Sequence, residues 1–188
     1  MKYIVGAVVV IIAALAAVIM LSSRPTPTST GTKAKTSTNL VEYADRFGSE
    51  VSMTTQGKIV GQDDFRSIRV TVNQYSRTVE VLKGYDNSVE KTQQYTNSKS
   101  AYDVFLRSLA NSGFIKTRAT SFSDERGVCP LSSRYIYLLQ ENGKDIHRSW
   151  SASCGNSVGS FAGVSATVKQ LFQNQVPDYN KFVQGVQL

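Results

Sequence analysis

The chain has 188 residues and a formal net charge of +7, with 21 basic and 14 acidic residues. Four of the basic residues precede residue 40, where the sequence has no acidic residue, so the rest of the chain carries a net charge of only +3. No run of Lys or Arg builds the basic stripe that a nucleic-acid-binding domain needs, so nucleic acid is excluded as the expected partner. The four early cations are Lys2, Arg24, Lys33 and Lys35.

A hydrophobic segment of 19 residues, from Tyr3 to Leu21, contains no charged residue. As a helix rising 1.5 Å per residue it would span roughly 28 Å, close to the hydrocarbon thickness of a bilayer. The alternative is a cleaved signal peptide, but the apolar run is longer than usual for one and no small-x-small cleavage site ends it. We therefore predict an uncleaved transmembrane anchor over residues 1–21, through which the protein binds the membrane.

Residues 22–39 are rich in Ser, Thr and Pro and contain no large apolar residue, which predicts an extended, flexible linker. Counting only Lys and Arg, the positive-inside rule would place the following domain in the cytoplasm. Long C-terminal domains cross membranes largely regardless of charge, however, and a cysteine pair favours an oxidising compartment. The predicted location is therefore the cell membrane, with a single span and the domain of residues 40–188 outside the cytoplasm.

The first part of this domain is predicted to combine a short helix with three strands. Leu40–Phe47 has apolar positions compatible with the helix. Alternating apolar and polar residues predict two strands, and a turn at Asp86-Asn87 leads into a mostly polar third strand, which we expect at the edge of a sheet. The three predicted strands are Ser67–Tyr75, Arg77–Tyr85 and Ser88–Thr96.

Two amphipathic helices are also predicted. The apolar stripe of the first follows the i, i+3, i+4, i+7 spacing and comprises Tyr102, Phe105, Leu106 and Leu109. Asn97 or Ser98 can cap its start, and Gly113 stands where a helix commonly ends. The second helix has Ser165 as its expected N-cap and ends before Pro177.

The strongest local pattern predicts a β-hairpin, because Asn142-Gly143 is the preferred two-residue turn between two alternating segments, Arg134–Glu141 and Lys144–Cys154. Continued without interruption, this register places Trp150 opposite Tyr135 on a buried face. His147 then lies on the other face, which we expect to be solvated.

Cys129 and Cys154 are predicted to form a disulfide. In the same register they point to one face but lie diagonally, about 7 Å apart, which is marginal for a bridge. A bulge near Pro130 would bring them opposite each other. The bridge would stabilise the domain by about 3.5 kcal/mol in the chain-entropy model, and two buried free thiols are the alternative.

The elements follow the order β-β-β-α-β-β-α. We therefore predict an α+β fold, with a mainly antiparallel sheet and helices on one face, preceded by one transmembrane helix.

No arrangement of residues in the sequence points to catalysis. The single histidine, His147, shares its predicted face with Asp145 and Ser149, but three residues on one flat strand lack the convergent geometry of a triad. There is no His pair or CxxC motif for a metal, and the glycine-rich loop after Cys154 lacks the Lys of a P-loop. We therefore assign no catalytic, cofactor-binding or metal residue and expect no cofactor.

The run CPLSSRYIYLLQENGKDIHRSWSASCG, followed by GSFAG and VKQLF, resembles uncharacterised membrane-anchored or secreted small proteins of minimal-genome candidate-phylum bacteria. The resemblance covers the C-terminal third well and residues 68–114 loosely, and it implies location and fold more than function. The layout of strands and helices is also similar to emfourin-type small protease inhibitors, without an inhibitory motif to carry over.

These features favour a binding protein over an enzyme. We predict a membrane-tethered interaction module whose partner is a protein in the envelope or on a neighbouring cell. The alternatives are an envelope hydrolase that uses carboxylates the sequence does not pair, and a protease-inhibitor-like domain.

Overall fold

The computed structural model describes residues 39–155 and 158–188. Within these ranges, no helix is long and apolar enough to cross a membrane. The predicted anchor over residues 1–21 and the predicted linker up to residue 38 lie outside the described residues.

The described chain folds into a six-stranded antiparallel sheet with helices packed on one face, which confirms the predicted α+β class. The strand order across the sheet is β4-β3-β2-β1-β5-β6. In chain order the elements are a 3-10 helix (Leu40–Asp45), β1 (Ser49–Gln56), β2 (Arg66–Asn73), β3 (Ser76–Lys83), β4 (Ser88–Thr96), α1 (Lys99–Asn111), β5 (Arg134–Glu141), β6 (Lys144–Ala152), α2 (Ser165–Gln173) and α3 (Tyr179–Phe182).

The predicted element order lacks strand β1, which lies at the centre of the sheet between β2 and β5. Its sequence, SEVSMTTQ, has only two large apolar residues, Val51 and Met53, and both are buried against the helices. Ser, Thr, Glu and Gln occupy the remaining positions, so the alternation that marks a half-buried strand is weak here. β1 is nevertheless the strand that joins the two predicted hairpins into one sheet.

The other local predictions for the first half are confirmed. The apolar residues of β2 and β3 are buried, and β4 is an edge strand that is exposed from Ser88 to Gln94. Ser98 caps α1, since its hydroxyl accepts a hydrogen bond from Ala101 N at 3.2 Å. Gly113 follows the helix with a φ of +77°, a conformation that glycine adopts without strain.

The hairpin of β5 and β6 turns at Asn142-Gly143 as predicted, and both residues have positive φ angles. Its register then shifts between Leu139 and Gln140, where Ile146 is an extra residue in β6. Because side chains alternate along a strand, one extra residue moves every later side chain of β6 to the opposite face. Trp150 therefore lies opposite Ile136, and the predicted pairing with Tyr135 is wrong.

Trp150 is buried on the second face of the sheet, away from the helices. Its side chain is 1% exposed and packs edge-on against Phe122, with ring centroids 6.4 Å apart. Phe122 belongs to the segment between α1 and β5, which covers this end of the second face. The same segment is held to β6 by the buried Glu125, whose carboxylate accepts hydrogen bonds from Arg148 at 2.7 and 2.8 Å.

The predicted disulfide between Cys129 and Cys154 is present, with a Cα–Cα distance of 5.9 Å. A tight turn, rather than a bulge near Pro130, brings the two cysteines together. Cys129 has a φ of +53°, and its carbonyl accepts a hydrogen bond from Ser132 N at 3.0 Å. The bridge fastens the segment after α1 to the chain that leaves β6.

Candidate functional site

A cleft of about 380 Å³ opens between the end of β6 and the start of α2. Two cations line it, Arg118 from the segment after α1 and Lys169 from α2. None of the described residues that line the cleft is a carboxylate. The cleft therefore concentrates positive charge and suits a negatively charged group.

The first turn of α2 adds to this charge. Its N-cap residue, Val164, has no side-chain acceptor, so no cap satisfies the amides of the first turn. These amides carry the partial positive charge of the helix N-terminus, and Ser165 and Ala166 of this turn line the cleft. The sequence predicted Ser165 as the cap, but Ser165 is the first residue of the helix and its hydroxyl has other partners.

Those partners form a triangle of hydroxyl groups at the base of the cleft. Tyr137 Oη lies 3.0 Å from Ser151 Oγ and 2.5 Å from Ser165 Oγ, and the two serine oxygens are 3.3 Å apart. Burial raises the pKa of Tyr137, so its hydroxyl stays protonated and neutral. The triangle fixes the start of α2 against the sheet and brings no negative charge to the cleft.

The two cations are held on packed elements. Lys169 follows Ser165 by one helical turn, and its Nζ lies 5.7 Å from the ring centroid of Tyr135. Arg118 donates from its backbone N to Ser160 O at 2.8 Å and from Nε to Gly159 O at 3.0 Å. The backbone carbonyls of Gly159 and Ser160 therefore help to position Arg118 at the cleft.

The residues of the conceivable Ser-His-Asp triad do not converge. Asp145 precedes the extra residue and keeps its predicted place opposite Gln140, to which it is hydrogen-bonded at 2.8 Å, whereas the extra residue turns His147 to the helix side of the sheet. His147 Nε2 lies 3.2 Å from Ser149 Oγ, but Ser149 is fully buried and out of reach of a substrate. The prediction that His147 and its neighbouring serines occupy a solvated face is wrong, because the bulge reverses the faces.

The half-buried His147 makes the stability of the fold depend on pH. Burial lowers the pKa of His147 below its ordinary value of 6.5, so the unfolded chain takes up a proton at a higher pH than the folded chain does. The stability that the neutral ring contributes is present above about pH 6.5 and is lost as the pH falls toward the lower folded-state pKa. We expect the urea midpoint to fall more between about pH 7.5 and about pH 5.5 in the wild type than in His147→Gln. Equal falls in both proteins would contradict this assignment.

A larger cleft, of about 630 Å³, lies between β4 and the C-terminal segment and is lined by charges of both signs, Asp64 and Glu90 beside Arg66 and Lys91. Arg66 Nε lies 2.5 Å from Glu90 Oε2, and Lys91 Nζ donates to Phe182 O at 2.6 Å. A charged ligand would have to displace these partners. The smaller cleft, whose described lining includes cations but no carboxylate, is therefore the better candidate for binding an anion.

The sequence matches no protein-family model and no curated protein, so function is inferred from the geometry of the cleft. Within the described ranges, no group of three or more His, Cys, Asp or Glu side chains could hold a metal ion. Sequence reasoning missed the cleft because Arg118, Ser151 and Lys169 are far apart in the chain. The spacing of Ser165 and Lys169, one turn apart on a helix, was the one local signal that could have indicated it.

Proposed function

We propose that the protein is a non-enzymatic binding module, tethered to the membrane and facing outward, which holds an anionic group of a partner protein in the cleft at the start of α2. The observation that carries this proposal is the position of Lys169 beside the first turn of α2, in a cleft whose described lining residues include no carboxylate. Carboxylate and phosphate groups are the ligands that such cations and a helix N-terminus bind best.

The location of the module is proposed from its sequence. The uncharged segment Tyr3–Leu21 is long enough to span a bilayer, and the polar linker after it would let the domain reach a partner in the envelope or on a neighbouring cell. The disulfide between Cys129 and Cys154 supports an oxidising compartment.

The alternative functions have less support. A hydrolase that uses carboxylates needs two of them to face each other in a cleft, whereas Glu90 and Glu125 each pair with an arginine. An inhibitor needs a side chain to offer to a protease, and Leu131 is 80% exposed. Leu131, however, lies in the turn closed by the Ser132–Cys129 hydrogen bond rather than in an extended segment.

Replacing Lys169 with glutamine is expected to weaken anion binding about tenfold, because one charge-assisted interaction is lost while the cleft keeps its shape. The measurement is a titration of the full-length chain, in nonionic detergent, with inorganic phosphate and separately with acetate. Binding is followed by the amide chemical shifts of Ser165, Ala166 and Thr167. Lys144→Gln is the matched control, since Lys144 is exposed at the hairpin turn and undergoes the same change of charge.

The outcome that contradicts the proposal is a wild-type protein whose first-turn amides respond to neither anion. Equal weakening by Lys169→Gln and Lys144→Gln would show general charge attraction instead of a site. The partner itself is sought by chemical crosslinking in intact source cells, followed by mass spectrometry. The proposal requires a partner that is captured by wild type and Lys144→Gln but reduced with Lys169→Gln.

A further inference from the structure

Strand β4 forms an exposed edge of the sheet. Among the described strands its one neighbour is β3, and its residues from Ser88 to Gln94 are exposed. The outer side of an edge strand presents backbone amides and carbonyls that can pair with a further strand. Whether a given edge accepts such a strand depends on its side chains and on the regularity of its backbone.

The opposite edge of the sheet, at β6, is protected against such pairing. Its first half carries the charged residues Lys144 and Arg148 and the bulge at Ile146. Along its second half, Phe161 donates from its backbone N to Trp150 O at 2.9 Å, so another part of the chain already lies against it. Charges, bulges and covering segments are the usual means by which sheets avoid edge-to-edge contact.

The second half of β4 lacks such charges and bulges. Its sequence, TQQYT over Thr92–Thr96, contains no charged residue, glycine or proline, and its register with β3 is regular. The bulge of this strand lies earlier, at Glu90. The side chain of Lys91 is held over the helix face, where its Nζ donates to Phe182 O at 2.6 Å and lies 4.3 Å from the Phe182 ring centroid. A regular, uncharged stretch of edge is therefore open to another strand.

The register of β4 determines which of its backbone groups point outward. Asn97 N donates to Tyr75 O at 2.8 Å, and hydrogen-bonded pairs alternate with non-hydrogen-bonded pairs along the ladder from there. Thr96 O accepts a hydrogen bond from Arg77 Nη2 at 3.0 Å and keeps a second lone pair. The residues whose amides and carbonyls point away from β3 are therefore Thr92, Gln94 and Thr96.

We propose that two copies of the protein associate through β4 and form one continuous antiparallel sheet. In the pairing that uses all three outward residues, Gln94 lies opposite Gln94 of the second copy, and Thr92 lies opposite Thr96 of the second copy. This contact does not involve the cleft at the start of α2, so it is independent of the proposed function.

The edge is complementary to a second copy of itself. On the second face of the sheet, this register brings two Gln94 amides together and places threonine beside threonine, and such pairs stabilise neighbouring strands. On the helix face Gln93 meets Tyr95 of the other copy, and a cleft of about 320 Å³ between β4 and Pro177 leaves room for these side chains. Like charges do not meet, since Lys91 falls opposite an asparagine.

The experiment uses the two-fold symmetry, which places residue 94 opposite itself. Gln94→Lys and Gln94→Glu each set like charges opposite each other, and each is expected to raise the dissociation constant of the dimer about fivefold. An equimolar mixture of the two variants is expected to form a mixed dimer at least as tight as the wild type. The measurement is sedimentation equilibrium of the full-length chain in nonionic detergent. Gln170→Lys, at an exposed position on α2, is the matched control.

Hydrogen exchange locates the contact on β4. The outward amides of Thr92 and Gln94 bond to the second copy in the dimer, so their exchange is expected to slow as the protein concentration rises. The amides of Gln93 and Tyr95 bond to β3 within one copy and serve as the internal reference. Protection of Thr92 and Gln94 that is independent of concentration would overturn the inference, because the chain itself would then cover the edge.

Three results of sedimentation would also overturn it. The first is a wild-type protein that stays monomeric at about 1 mM. The second is a dimer that Gln94→Lys and Gln94→Glu weaken no more than Gln170→Lys does, which would place the contact elsewhere in the chain. The third is a mixture of the two Gln94 variants that associates no more tightly than either variant alone.

Discussion

Replacing Trp150 with alanine is expected to lower the free energy of unfolding by about 4 kcal/mol, the largest effect of any single substitution considered for this domain. Trp150 is 1% exposed on the second face of the sheet, where it lies opposite Ile136 and against Phe122. Alanine would leave a cavity beneath the segment between α1 and β5, which the sheet cannot collapse to fill. The measurement is urea unfolding followed by far-ultraviolet circular dichroism, because the variant lacks the only tryptophan.

Two control variants separate the packing of Trp150 from other causes. Trp150→Phe keeps an aromatic ring and removes the indole N–H, which is buried and has no hydrogen-bond partner among the described residues. The Trp150→Phe substitution is expected to lower the free energy of unfolding by less than about 1.5 kcal/mol. Phe122→Ala removes the other member of the ring contact, but Phe122 is 46% exposed, and its loss should cost about 1 kcal/mol. A cost below about 1 kcal/mol for Trp150→Ala would contradict a packed second face.

The position of Trp150 shows which part of the fold the sequence could predict. The Asn142-Gly143 turn and the start of the hairpin follow local rules, and both are confirmed. The extra residue at Ile146 is not marked by a glycine or any other local pattern, because the bulge depends on how β5 meets β1 and the helices. One unpredicted residue was enough to exchange the faces of Trp150 and His147.

Strand β1 was missed for a related reason. A strand is recognised by its apolar face, and Val51 and Met53 are too few to stand out from the surrounding Ser and Thr residues. What makes the segment a strand is pairing on both sides, with β2 and β5, and those partners are distant in the sequence. Helix α1, by contrast, carries its cap, its apolar stripe and its terminating glycine within one short segment, so it was predicted correctly.

Predicting the cleft also requires knowledge of contacts between residues that are distant in the sequence. The disulfide could be predicted from the presence of two cysteines, but the turn at Cys129 that makes it possible could not. The hydroxyl triangle depends on Ser151 facing the helices, and the predicted register turned that residue toward solvent. A site assembled from β6, α2 and the segment after α1 becomes visible only once the register of β6 is known.

A buried cation, Arg134, makes a further contact to the segment between α1 and β5, which covers one face of the sheet. Arg134 is 2% exposed and its guanidinium donates to three uncharged acceptors, two at the end of β1 and one in the segment before β5. They are Gln56 Oε1 at 3.2 Å, Val128 O at 3.4 Å and Gly57 O. Burial lowers the pKa of Arg134, but an arginine side chain remains protonated in a folded protein. Arg134 therefore links the end of β1, its following loop and the segment that carries Cys129.

Replacing Arg134 with methionine is expected to lower the free energy of unfolding by about 3 kcal/mol. Methionine fills much of the space but leaves the three acceptors without this donor, and an unsatisfied buried acceptor such as Gly57 O costs about 1–3 kcal/mol. Part of this cost is offset because a charge no longer has to be buried. Arg134→Lys should lose nearly as much, since one ammonium cannot reach three acceptors arranged for a guanidinium fork.

The matched control for Arg134→Met is Arg107→Met on the outer face of α1. Arg107 is largely exposed and pairs with Asp103 at 2.9 Å, four residues earlier on the same helix, so its replacement should cost less than about 0.5 kcal/mol. Urea unfolding of both variants and the wild type gives the comparison directly. Equal losses would mean that the three acceptors are satisfied without Arg134. A large loss of stability in Arg134→Met, with little loss in Arg107→Met, would show that the hydrogen bonds of the buried guanidinium hold the segment between α1 and β5 against the sheet.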